Sequence, residues 1–131
     1  MNLLFDLDGT LADPFDSIRS SLIYALKQHG LEIPSDPMVK DCIGPPLRHS
    51  LEQVLGVPAD CVKEVMETYR THQLKEGIFL YRFFDEARPT LEFLMQKHRL
   101  FVATSKLKLS AESLIRHFDF EKYFAGIHGS D

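Results

Sequence analysis

Short apolar runs near the two ends of the chain, a wholly helical rhythm between them and an αβαβ alternation at the close predict an α/β fold. The arrangement expected is a doubly wound parallel-sheet core into which a helical block has been inserted. Leu3-Leu4-Phe5 is the first strand, and it stops at Asp6-Leu7-Asp8-Gly9-Thr10, as a buried strand does on entering a loop. Asp13-Pro14 then offers an N-cap and a first-turn proline. Phe15, Ile18, Leu22, Ala25 and Leu26 recur at helical spacing until Gly30 supplies a stop. Residues 33–41, with two prolines, read as loop plus a short helix. Pro46 opens a helix with Leu47, Leu51, Val54 and Leu55 on one face, and Asp60 caps another bearing Val62, Val65, Met66 and Tyr69. A helix over 87–97, a strand over 100–103, a helix over 110–117 and a strand over 124–128 complete the alternation.

Composition narrows the function classes. Fifteen Lys and Arg against nineteen Asp and Glu leave a net charge of −4, and no basic block is present, which argues against a nucleic-acid binder. With 44% hydrophobic and 11% aromatic residues, the 131-residue chain has apolar surface enough for a compact core, unlike a disordered chain. No apolar run approaches the roughly 18 residues that cross a bilayer, and Asp6 interrupts the start too early for a secretory signal, so no membrane association and a cytoplasmic location are expected. Cys42 and Cys61 have no second Cys or His at ligand spacing and read as plain thiols, and no two of the six histidines stand four apart as in a helical metal site.

The chemistry is sought in the loops that follow strands. Positions i and i+2 of a strand point the same way, so Asp6 and Asp8 can present two carboxylates on one side of the chain as it leaves the sheet. In an open parallel sheet, ligands gather beyond the carboxyl ends of the strands, where Asp6 and Thr104 both fall. Gly9 lets the backbone turn beside a ligand without a Cβ in the way. Two close carboxylates are tolerated when a divalent cation bridges them or one holds a proton. Both conditions suit metal-assisted phosphoryl transfer, in which one carboxylate attacks phosphorus and the other moves a proton. A bare Asp-x-Asp-Gly is also an ordinary turn sequence.

The longer string Phe5-Asp6-Leu7-Asp8-Gly9-Thr10-Leu11-Ala12-Asp13 strongly resembles the first motif of the haloacid dehalogenase-like hydrolases, and Val102-Ala103-Thr104-Ser105-Lys106 resembles their second. Ile43-Gly44-Pro45-Pro46-Leu47 and the stretch from His117-Phe118 to Gly129-Ser130 look like the phosphoglycolate phosphatase-like branch. The resemblance implies a Rossmann-like core over 1–13 and 83–131 and a helical cap over 14–82. It implies Mg²⁺-dependent hydrolysis of small phosphate monoesters, with Asp6 as the nucleophile that becomes an aspartyl phosphate and also holds the metal. Asp8 would be the acid and base, its main-chain carbonyl also on the metal. Thr104 would hydrogen-bond the transferring group, and Gly9, Thr10, Ser105 and Lys106 would line the phosphate. Asp13 reads equally as a helix cap or as a functional residue. Arg48, after the Gly44-Pro45-Pro46 turn, is a candidate for a substrate carboxylate or phosphate, against the usual solvent exposure of arginine.

The sequence also departs from that pattern. Family members continue through a third-motif Lys and a fourth-motif acidic pair, and a further strand lies beside the first. None of these is found in the 131 residues, and Tyr81-Arg82-Phe83 replaces the Pro-Gly often seen at the second cap hinge. Turnover by these residues alone is therefore expected to be impaired or absent. The alternative reading is a non-catalytic remnant binding a phosphorylated ligand or a protein partner. The open edge of the first strand is expected to promote self-association.

Overall fold

The computed structural model describes residues 1–130. The chain divides into two compact units, an α/β unit of 1–13 with the residues from Arg82 onward, and a helical unit of Pro14–Tyr81. Arg82 falls with the α/β unit, one residue earlier than the sequence boundary, because β2 (Ala12–Asp13) pairs antiparallel with β3 (Arg82–Phe83). This two-stranded ribbon, joining Asp13 to Arg82, has no signature in the residue pattern: two residues are too few to show alternation.

The α/β unit is built on a parallel three-stranded sheet in the order β1-β4-β5. β1 is Asn2–Phe5, β4 is Arg99–Leu107 and β5 is Gly126–Ser130. Leu4 lies abreast of Phe101 and Gly126, while Phe5 lies abreast of Val102 and Ile127. Paired residues of neighbouring strands share a face, and the two faces differ. Leu100 and Val102 are buried, whereas Leu4 is 68% exposed at the open edge. Helix α6 (Lys108–His117) packs on β4 and β5 through the buried Ala111, Leu114 and Ile115. Helix α5 (Ala87–Leu94) ends three residues earlier than the sequence suggests. Its Arg88 donates to the carbonyls of Phe118 and Asp119 and to the Tyr123 hydroxyl, and lies over the Phe120 ring at 4.4 Å. The carbonyls just beyond the C-terminus of α6 thus find a cationic donor, the favourable sign at that end of a helix.

In the helical unit, α1 (Phe15–Gln28) buries Ser17, Ile18, Ser21, Leu22, Ala25 and Leu26 and packs against α4 (Val62–Lys75). Between them come α2 (Asp36–Asp41), the single turn α3 (Leu47–His49) and a wider π-turn over Ser50–Val54. Val39, Leu51, Val57, Val62 and Val65 join Leu22 and Leu26 in one apolar cluster. Two expected caps are displaced. Pro14, not Asp13, occupies the cap position of α1, and Cys61, not Asp60, that of α4; neither helix has a side-chain cap bond. Ser17, Ser21, His72 and Gln73 are buried among these apolar residues. Gln73 Nε2 donates to Ser17 Oγ (3.0 Å) and Ser21 Oγ (2.8 Å). The Ser21 hydroxyl meets His72 Nδ1 at 2.7 Å, and His72 Nε2 meets Glu76 at 3.1 Å.

Candidate active site

The loop after β1 winds around one peptide group. The amides of Thr10, Leu11 and Ala12 all donate to the Leu7 carbonyl, at 3.2, 3.0 and 3.2 Å, and Gly9 N–H returns to the Ala12 carbonyl at 2.8 Å. Gly9 makes the reversal at φ +80°, a conformation open to glycine at little cost. The fully buried Leu7 side chain anchors the loop from below. The alternation of Asp6, Leu7 and Asp8 is thus visible as exposed, buried and half-buried. Asp6 Oδ1 accepts the Leu7 amide at 2.8 Å, which fixes the carboxylate against its own turn while the residue stays open to solvent.

Thr104, Ser105 and Lys106 stand in an irregularity of β4. Ala103 pairs with His128 and Leu107 with Ser130, so these three residues lie opposite Gly129 alone. A bulge of this kind bends the strand and re-aims its side chains. Thr104 Oγ1 accepts the Lys106 amide at 3.1 Å, and Ser130 Oγ donates to the Ser105 carbonyl at 3.1 Å. Accepting leaves the Thr104 hydroxyl its own proton to donate. A Cβ on Gly129 would come within 2.7 Å of both the Lys106 carbonyl and Lys108 Cα, so only glycine fits beneath the bulge. Gly129 is the supporting residue that sequence reasoning passed over; its position opposite Thr104–Lys106 could have been found only with the strand register in hand.

The two loops meet through Lys106, whose Nζ lies 3.8 Å from Asp8 Oδ2, with side-chain exposures of 10% and 14%. Burial pulls the Lys106 ammonium below the ordinary lysine range, and the Asp8 charge pulls the other way without cancelling it. The sequence tendency of lysine to remain in solvent is overridden at this position.

Thr10 is exposed, as are Gly9 and Ser105. Arg48 belongs to the helical unit and is exposed there, paired with Glu52 one turn on at 3.1 Å. Among the described residues no group of three or more His, Cys, Asp or Glu is gathered to hold a metal ion. Asp6 and Asp8 are hard oxygen donors, and Mg²⁺ is commonly held by one or two carboxylates while water and phosphate oxygens fill its other positions. The donor set fits that open kind of site. Cys42 and Cys61 are free; burial pushes both thiols up, Asp41 adding to it at Cys42 and Asp60 at Cys61, so neither is activated as a nucleophile.

The parallel sheet with helices packed on it and loops at the strand ends is a Rossmann-like α/β core. The chain belongs to the haloacid dehalogenase-like hydrolases, whose family model matches residues 3–131. It is similar to a 5'-nucleotidase of Pseudomonas aeruginosa, 38% identical over 99% of this chain and 59% of that protein. It is 34% identical to a phosphoglycolate phosphatase of Aquifex aeolicus, over 98% of this chain and 60% of the relative. It is also 34% identical to the tyrosine-protein kinase PtkA of Mycobacterium tuberculosis, over 98% of this chain and 44% of that one. The crystal structure of a predicted phosphatase from Clostridium acetobutylicum superposes with a TM-score of 0.91 at 29% identity, covering 99% of this chain and 61% of that one. The chain therefore spans about three fifths of two of these relatives and less of the third. No helix among the described residues is long and apolar enough to cross a membrane.

Proposed function

We propose that this chain carries the phosphoryl-transfer loops of a Mg²⁺-dependent phosphatase acting on small phosphate monoesters, with the helical unit as its cap. The observation that supports this most is the meeting of the two strand-end loops: Asp6 and Asp8 after β1, and the Thr104–Lys106 bulge of β4, joined by the Lys106–Asp8 contact. Asp6 attacks phosphorus, the bond to the leaving oxygen breaks, and Asp8 gives that oxygen a proton. Asp8 then removes a proton from the water that attacks the aspartyl phosphate, releasing inorganic phosphate and restoring Asp6. Thr104 donates a hydrogen bond to the transferring group. Mg²⁺, held by the Asp6 carboxylate and the Asp8 main-chain carbonyl, would supply charge neutralisation for the phosphoryl oxygens.

Different names among the relatives go with one shared chemistry, transfer or release of a phosphoryl group, and support the reaction class rather than one substrate. Turnover by the 131 residues alone is expected to be slow, since two motifs provide only part of the charge that phosphoryl transfer needs. The test is phosphate release from a panel of monoesters, with Mg²⁺, by the chain and by a form extended to the length of its relatives. Release by the extended form that Asp6→Asn removes supports the reading. Undiminished release in Asp6→Asn takes Asp6 out of the mechanism, and saturable binding of esters without release by either form points to a phosphate-binding protein.

A further inference from the structure

We propose that Lys106 is a positioning residue for Asp8, holding the acid-base carboxylate in place from the bulge of the neighbouring strand rather than contacting the phosphoryl group. The inference rests on the reading of Asp8 as acid and base. Its grounds are geometric. Three residues of β4 are accommodated opposite Gly129 alone, and the Thr104 hydroxyl receives the Lys106 amide at 3.1 Å. Ser130 ties down the Ser105 carbonyl, and Gly129 is the only residue type that fits under the Lys106 carbonyl. The lysine main chain is thus constrained from both sides, and its ammonium is carried to 3.8 Å from Asp8 Oδ2 with both side chains nearly sealed from water.

A lysine so buried is costly unless it faces an opposite charge, and a carboxylate faced by a cation is held in direction. At 3.8 Å the contact is longer than a hydrogen bond. At this distance from Oδ2 the attraction that steers Asp8 is one of charge.

The roles separate in single-turnover phosphate release, read at enzyme concentrations above substrate with an alkyl and a nitrophenyl phosphate. Lys106→Met keeps the apolar stem and removes the charge. If Lys106 positions Asp8, the alkyl ester, which needs its leaving oxygen protonated, slows by about 100-fold. The nitrophenyl ester slows by less than about fivefold, half-saturating concentrations hold, and Lys106→Arg recovers part of the loss. Equal slowing of both esters with weaker saturation places Lys106 on the phosphoryl group and overturns the proposal. If neither the chain nor its form extended to the length of its relatives releases phosphate from either ester, the phosphatase reading fails separately, and a double-mutant cycle of Asp8→Asn and Lys106→Met in urea unfolding decides the contact. Coupling of about tenfold or more in the unfolding constant supports it, and additive effects overturn it.

Discussion

In the helical unit, Ser17, Ser21, His72 and Gln73 are buried and hydrogen-bonded to one another between α1 and α4; in the α/β unit the enclosed polar contact is an ion pair, Lys106 against Asp8, at the ends of two strands. The first arrangement settles most of its hydrogen bonds inside the fold and has an apolar cluster beside it. The second retains a net preference against the lysine charge, since burial outweighs the pull of Asp8. The buried groups between the helices are held by one another's hydrogen bonds, although Gln73 Oε1 lacks a partner, whereas the Lys106 ammonium is enclosed at a cost to stability.

The largest effect expected from breaking this division is on turnover without change in fold. Asp6→Asn removes the attacking carboxylate and should reduce phosphate release by about 1,000-fold or more. Its unfolding free energy should move by no more than about 0.5 kcal/mol, because Asp6 lies on the surface. A change in the helical unit should do the reverse. Leu22→Ala, at a site 1% exposed, is expected to cost about 2–5 kcal/mol in urea unfolding, whereas Leu4→Ala on the exposed edge should cost less than about 0.5 kcal/mol. Next in size is Ser21→Ala, which takes one partner from both His72 and Gln73 and should cost about 1–3 kcal/mol.

Lys106→Met sharpens the contrast through pH. Because the folded chain holds Lys106 below its ordinary value of 10.5, the unfolded chain binds the proton more tightly, and the penalty is fully present below the folded-state value. It fades as pH rises through that value and is gone above the ordinary one. The variant's stability relative to the unaltered chain should therefore be greatest near neutrality and should fall as pH approaches 10.5, measured by urea unfolding of both proteins across that range.

The sequence was most legible where residue type and period agree. The α1 stripe, the break from strand to loop at Asp6 and the helix-strand alternation after residue 87 could all be read from spacing, because burial enforces spacing. The Asp6-Leu7-Asp8-Gly9 loop was legible because its reversal at positive φ calls for glycine and the buried Leu7 stands between two more accessible carboxylates. The β2–β3 ribbon and the Pro14 and Cys61 caps were not, since tertiary contacts set them over so few residues. The Lys106–Asp8 contact was hidden for a related reason, since it brings together the ends of two strands far apart in the chain, beside an irregularity of β4 that the residue pattern does not show.

The central claim is that the loop after β1 performs phosphoryl transfer through Asp6. The most direct measurement is single-turnover phosphate release from one nitrophenyl phosphate, with Mg²⁺, by the chain extended to the length of its relatives and by its Asp6→Asn variant. The account predicts release that saturates with substrate in the first and falls to the uncatalysed rate in the second, with both proteins unfolding at the same urea concentration. Equal release by the two would contradict it.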